Sequence, residues 1–357
     1  MSLAMPVVWS DSCRLHDPAG EIWIGVRTEG TEVAARVDAV RDSLVRNGAR
    51  IVVAESHHDE SLHRVHDESL VSYLASAWEE WTAAGLPEDP GQDRVVPYVF
   101  AHTSLTSGRP PHIPAATWAK PGYFAYDTMT LIGPGTWKAA RAAVDVALTA
   151  VDLVLDGEPA AYGCCRPPGH HAARACYGGS CYLNNAAVAA AELVERVDAP
   201  VAVLDIDAHH GNGTQELFYD RADVVVGSVH VDPGAGWFPH FLGFAHETGA
   251  GAGQGANVNI PLAPGSGDGE WLAAVGQLVE LARSYEVQAV VVPLGVDAAA
   301  DDPESPLRVT AAGFREAGRR IGELGLPTVL VQEGGYDLST LGDLVAETLL
   351  GVEEGVQ

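Results

Sequence analysis

Between Val201 and Gln215 the chain reads Val-Ala-Val-Leu-Asp-Ile-Asp-Ala-His-His-Gly-Asn-Gly-Thr-Gln, so Asp205, Asp207, His209 and His210 arrive in quick succession after an apolar run. An apolar, partly β-branched run of this kind forms a buried parallel strand, which here delivers its polar groups at its carboxyl end. Alternation along an extended chain puts Asp205, Asp207 and His209 on one face, where carboxylates and an imidazole can share a cation. A hydrogen-bonded Asp/His network in a polar crevice is the other arrangement this spacing allows. The Gly-Asn-Gly turn that follows keeps these groups at an edge that ligands can reach.

Three further apolar runs end in the same abrupt way, at Ser228-Val229-His230, at Gly295-Val-Asp297 and at Glu333-Gly-Gly-Tyr336. In an open parallel sheet such ends converge. Asp207, His209 and Asp297 would then offer three oxygen or nitrogen ligands with one corner left for water, the pattern of a catalytic metal. Zn²⁺ suits this set, and Fe²⁺, Co²⁺ or Mn²⁺ would also be tolerated. Metal-assisted hydrolysis also needs a base for the attacking water and a donor for the developing oxyanion. Cys165-Arg-Pro-Pro-Gly-His170-His171 holds two imidazoles behind a rigid turn, and Tyr336 brings a phenol donor behind two glycines.

The elements that must position these residues alternate along the chain. Helical spacing runs over 31–47, 136–155, 186–197, 271–285 and 311–322, and short apolar runs at 5–10, 51–54, 201–205, 224–230, 289–297 and 328–336 lie between or before them. No linker or repeat interrupts the pattern, which predicts an α/β fold. Residues 1–357 are expected to form a single domain around a mainly parallel central sheet flanked by helices, with the site at strand carboxyl ends. His57, His58 and His63 read as surface or loop residues; His66 stands apart, ahead of an amphipathic helix. Residues 87–122 are rich in Pro, Gly, Ser and Thr without periodicity, and so long a loop is a functional or assembly insertion.

The 357 residues, 47% of them hydrophobic, suffice for a sizeable core. No apolar run reaches membrane-spanning length and no secretion signal opens the chain, so a cytoplasmic protein with no membrane role is expected. Five cysteines without scaffold spacing point to free thiols. A net charge of −27, from 48 acidic and 21 basic residues, argues against nucleic-acid and anionic-membrane partners. It is compatible with cationic partners, or with solubility alone.

Taken in order, Arg-Pro-Pro-Gly-His-His, Asp-x-Asp-x-His-His-Gly-Asn-Gly-Thr-Gln, Gly-Val-Asp ahead of Asp-Pro, and Glu-Gly-Gly-Tyr resemble the histone deacetylase and acetylpolyamine amidohydrolase family over almost the entire chain. Cys181-Tyr-Leu-Asn-Asn-Ala-Ala-Val-Ala, Asp232-Pro and Phe238-Pro-His-Phe-Leu-Gly are most similar to its bacterial acetylpolyamine branch, as is the insertion. The resemblance implies an arginase/deacetylase-like fold, a catalytic Zn²⁺, and hydrolysis of an acetyl or related acyl group from an amine. A small acylated polyamine-like substrate is implied first; a lysine deacetylase, or an amidase for another small N-acyl compound, is the alternative. Relatives dimerise through the insertion and narrow the tunnel mouth, so a homodimer is expected.

The resemblance assigns Asp207, His209 and Asp297 as zinc ligands and His171 as general base and then acid. His170 becomes its electrostatic partner, bonded to Asp205, and Asn212 the orienter of His171. Tyr336 polarises the scissile carbonyl. Asp205, Asp207, His209, Ser228 and Val229 match a structural K⁺ site, Asp127 a rim residue that binds substrate backbone, and Phe238 one tunnel wall. Departures bear on substrate. The facing aromatic is replaced by Ser180 after Gly179, which leaves a wall open. Trp118 and Met129 stand where a relative has two glutamates for the cationic tail. Glu304 falls where a polyamine-selective deacetylase carries an acidic gatekeeper, its other reading being a solvated loop carboxylate.

Overall fold

The computed structural model describes residues 2–356, whose strands are β1 (Pro6–Trp9), β2 (Glu21–Trp23), β3 (Val26–Thr28), β4 (Arg50–Val53), β5 (Ala160–Gly163), β6 (Val201–Asp205), β7 (Val224–Val231), β8 (Asn257–Leu262), β9 (Ala289–Leu294) and β10 (Thr328–Gln332). Eight of them form one sheet in the order β4-β1-β5-β10-β9-β6-β7-β8, with all pairings parallel. The chain lays β4 and β5 on either side of β1, jumps to β6, builds β7 and β8 outward to the edge, and then returns. β9 and β10 fill the two central places last.

Both faces of this sheet are covered, which is why its inner strands are continuous apolar runs. Val201 and Val203 of β6 pack with the Thr136–Leu155 and Asn185–Val197 helices, whereas Ala202 and Leu204 pack on the opposite side with Ala35–Arg46, Asp268–Ser284, Ala311–Gly322 and Leu341–Val356. Val291 against Val290 and Val292 repeats the alternation in β9. Each such valine or leucine contributes ~1.5–3 kcal/mol on burial, so the register of the central strands is fixed from both sides. Among the described residues no helix is long and apolar enough to cross a membrane.

The apolar runs and periodic segments named from sequence form strands and helices close to their expected bounds. The first helix starts at Ala35 rather than at Thr31, because Glu32 lies in the preceding extended chain with its carboxylate committed to Arg166 and Arg36. β5, β8, the Leu341–Val356 helix and the β2–β3 hairpin lay outside the sequence reading. The 87–122 stretch has no strand or helix until a 3₁₀ turn at Thr117–Ala119 and a short helix from Pro121. His58 and His63 are exposed and His57 is half-buried, while His66 is buried, facing the Ala173 carbonyl with Nδ1 and accepting from the Asn184 amide.

Candidate active site

β6 and β9 are neighbours, so the residues past their ends meet although they lie far apart in sequence. His209 Nδ1 is 3.0 Å from Asp297 Oδ2 and 3.4 Å from Asp207 Oδ1, and the ligand atoms of all three residues lie within 4.8 Å of one another. Backbone amides fix the carboxylates: Ala208 donates to Asp297 Oδ1, His209 to Asp207 Oδ1 and Gly334 to Asp207 Oδ2. Such outer contacts aim ligands. Burial and the facing Asp207 push Asp297 up to about 7. Two buried carboxylates turned toward one another, with no Lys or Arg paired to them among the described residues, fit a divalent cation.

The tandem histidines sit beside this cluster, and their environments separate them. For His170, burial opposes the charged form, but Asp207 and Asp205 outweigh it and lift the imidazole to about 10; its Nδ1 is 3.0 Å from Asp205 Oδ2. For His171, burial together with His170 and His209 depresses the pKa well below its ordinary value. His171 Nδ1 lies 2.6 Å from Asn212 Oδ1, and the Asn212 amide nitrogen faces the His171 carbonyl at 3.5 Å. With an oxygen acceptor at Nδ1, that nitrogen carries the proton and Nε2 is left as a base. The site thus pairs a cationic imidazole with a neutral one.

Tyr336 comes from the loop after β10. Its amide donates to Asp302 Oδ2, and the Arg36 guanidinium lies 4.5 Å over its ring. Burial raises the phenol well above its usual pKa, so it stays a proton donor. Arg36 donates to the carbonyls of Glu333 and Gly335 and pairs with the buried Glu32, which also binds Arg166 of the Pro-Pro turn. Glu32, Arg36 and Asp302 escaped the sequence reading. Only Asp302 carried a local sign, the Asp-Pro already noted after Asp297.

His171, His209, Tyr336, Phe238, Ser180 and Glu304 line a single cavity of about 350 Å³. Phe238 stands edge-on to His171, ring centroids 4.9 Å apart, and Ser180 contributes no ring to the wall. Tyr126 stacks on Phe238 at 6.4 Å from a neighbouring cavity. Glu304 accepts from the Thr31 hydroxyl at 2.8 Å and lines the cavity. Glu21, from the unanticipated hairpin, lines the same cavity; burial, then Glu304 and Asp127, push its carboxyl up to about 7. Met129 also lines it, whereas Trp118 is exposed.

Asp127 and Ser228 both have defined hydrogen-bond partners. Asp127 does not present a free carboxylate at the rim: its oxygens accept from the amides of Met129, Thr130 and Gly179 and from the Thr130 hydroxyl. A short loop that turns back on itself needs this internal acceptor, and the result is to brace the Gly179–Ser180 turn. Ser228 lies opposite Asp205 in the β6–β7 register, its hydroxyl is 2.8 Å from His230 Nδ1, and Val229 beside it is buried.

The profile of the histone deacetylase domain matches residues 30–352. The chain is 38% identical over 349 residues to the acetylpolyamine amidohydrolase of Mycoplana ramosa, covering 98% of this chain and 99% of that protein. It is 39% identical over 347 residues to acetylpolyamine amidohydrolase 1 of Pseudomonas aeruginosa, covering 97% and 98%. The crystal structure of acetylpolyamine aminohydrolase from Burkholderia pseudomallei superposes with a TM-score of 0.91 at 37% identity, over 99% of each chain. With the fold, strand ends and motifs already described, these matches make the chain a member of the histone deacetylase family, in the branch of the acetylpolyamine amidohydrolases.

Proposed function

We propose that the chain is a metal-dependent amidohydrolase that removes an acetyl or related acyl group from an amine, with small acetylated polyamines as the substrate class. The observation that carries this reading is the convergence of His171, the Asp207/His209/Asp297 cluster and Tyr336 on one cavity. Asp207, His209 and Asp297 would hold the cation, Zn²⁺ first, with Fe²⁺, Co²⁺ or Mn²⁺ as substitutes. When bound, it supplies Lewis acidity toward the scissile carbonyl and acidifies the attacking water. His171, neutral and oriented by Asn212, accepts the proton of that water at Nε2 and later returns it to the leaving amine. His170, bonded to Asp205, steadies the charge that builds up beside it. Tyr336 donates from its hydroxyl to the developing oxyanion.

Glu21 and Glu304 support a cationic substrate, because both carboxyls line the cavity while Met129 and Trp118 bring no charge. The names of the Mycoplana and Pseudomonas relatives point to the same class. Ser180 favours a second reading, an amidase or lysine deacetylase for a bulkier N-acyl compound. Zinc-loaded protein assayed with acetylputrescine, acetylspermidine and an acetyl-lysine peptide tests both. Turnover of the polyamines is expected; preference for the peptide promotes the second reading, and no turnover of any overturns the first.

We read residues 1–357 as one catalytic unit, with 87–122 as a rim and dimerisation element. Ile24, 85% exposed at the hairpin tip, and Phe241, 87% exposed, flank an apolar cavity of about 630 Å³ beside the site, a surface that a second copy would cover. Light scattering should give a homodimer. A structural K⁺ would sit at Asp205, Asp207, His209, Ser228 and Val229, largely on backbone oxygens. Five free thiols suit a reducing, cytoplasmic setting.

A further inference from the structure

The Arg166–His171 turn follows β5 and the Glu333–Tyr336 loop follows β10, and these strands are neighbours in the sheet. One side chain crosses between the two segments. Glu333 Oε2 accepts from the Gly169 amide at 2.6 Å and from the His170 amide at 3.1 Å. The residue is fully buried, and among the described residues its Oε1 has no hydrogen-bond partner and no Lys or Arg pairs with it. Burial pushes the carboxyl up to about 7, against the pull of His170. A buried carboxyl with one oxygen unpaired is costly, and an apolar side chain would serve better if filling space were its only duty.

The loop that carries it is coupled tightly to its surroundings. Arg36 holds the Glu333 and Gly335 carbonyls, each at 2.6 Å, and reaches Arg166 at the far end of the turn through Glu32. Gly334 donates to Asp207 Oδ2, and a Cβ there would come within 2.3 Å of Asp297 Oδ2. A displacement of this loop therefore reaches the base, the phenol and the ligands together.

We propose that Glu333 is a positioning residue that fixes His171 relative to Tyr336 by bonding the turn of the base to the loop of the phenol. The proposal rests on the amidohydrolase reading for its catalytic consequence, while the bonding itself can be tested without activity. Hydrogen-exchange mass spectrometry on metal-free protein should show residues 166–171 and 333–337 protected in the wild type. In Glu333→Ala both segments should exchange at least about tenfold faster, and in the zinc-loaded protein kcat should fall about 100-fold with KM within about threefold, as for a misplacement near 1 Å. Glu333→Gln keeps an oxygen for both amides and should retain kcat to within about tenfold. Unchanged exchange in Glu333→Ala overturns the proposal, as does a loss in Glu333→Gln as deep as 100-fold, which decides the matter if the alanine variant does not fold. A wild type inert toward every acylated amine would sink the amidohydrolase reading and leave the exchange measurement to judge the coupling.

Discussion

Asn212 Oδ1 lies 2.6 Å from His171 Nδ1, and this contact decides which ring nitrogen of His171 is free to act as a base. Asn212→Ala removes the acceptor that selects the tautomer, so kcat should fall by about 10–100-fold, the usual range for an outer contact of a catalytic group. Asn212→Asp places a carboxylate there and should move the acidic limb of the kcat/KM profile to higher pH, because a negative neighbour favours the imidazolium. A profile that does not move would show that Asn212 has no electrostatic hold on the base.

Tyr336→Phe deletes one hydroxyl and leaves the ring under Arg36. Loss of one oxyanion donor typically costs about 10²–10³ in kcat. Steady-state kinetics should show that fall with KM and metal content near wild type; full activity would remove Tyr336 from the chemistry.

Asp297→Asn takes away a ligand and leaves the shape. Metal analysis after dialysis should show loss of the bound ion, with activity falling in parallel and not restored by added Zn²⁺. The wild type stripped by a chelator should recover on reloading. Retention of a full equivalent by Asp297→Asn would contradict the three-ligand assignment.

Glu21 offers a pH test, because burial beside Glu304 and Asp127 pushes its carboxyl up to about 7. Below that value it is neutral and has no pull on an ammonium group; above it, it is a carboxylate. KM for acetylspermidine should therefore drop as pH rises through about 7, by roughly three- to tenfold for a partly screened charge pair worth ~1 kcal/mol. An acetylated amine with no second charge should show no such step, and Glu21→Gln should abolish it.

Ser180→Phe should rebuild the missing wall. Turnover of acetyl substrates should survive while that of longer or branched acyl groups declines, read from the ratio of the two kcat/KM values. Equal loss on both would mean that the cavity does not open toward Ser180.

Much of the site was legible because its chemistry sits where apolar runs stop. Asp207, His209, Asp297 and Tyr336 each follow a strand whose composition announces its end, and parallel sheets gather such ends. Glu32 and Arg36 were not legible, since what ties them to the candidate site is a partner far along the chain: Glu32 reaches Arg166, and Arg36 reaches the Glu333 and Gly335 carbonyls. β5, four residues of Ala-Ala-Tyr-Gly, carries too little side-chain signal to stand out, although it lies inside the sheet between β1 and β10. The bracing contacts of Asp127 were not legible either, because its four donors come from the fold of its own loop and from the Gly179 turn.

The order of the sheet also bears on when the protein gains its chemistry. β9 and β10 leave the ribosome last yet lie between β5 and β6, so early parts of the molecule wait for late ones. A nascent polypeptide carries Asp207 and His209 long before Asp297 is made, and two donors grip a cation far less firmly than three. If Asp207, His209 and Asp297 hold the ion as proposed, unfinished or truncated copies would bind it weakly, and the proposed donor Tyr336 would join them only at the end of synthesis.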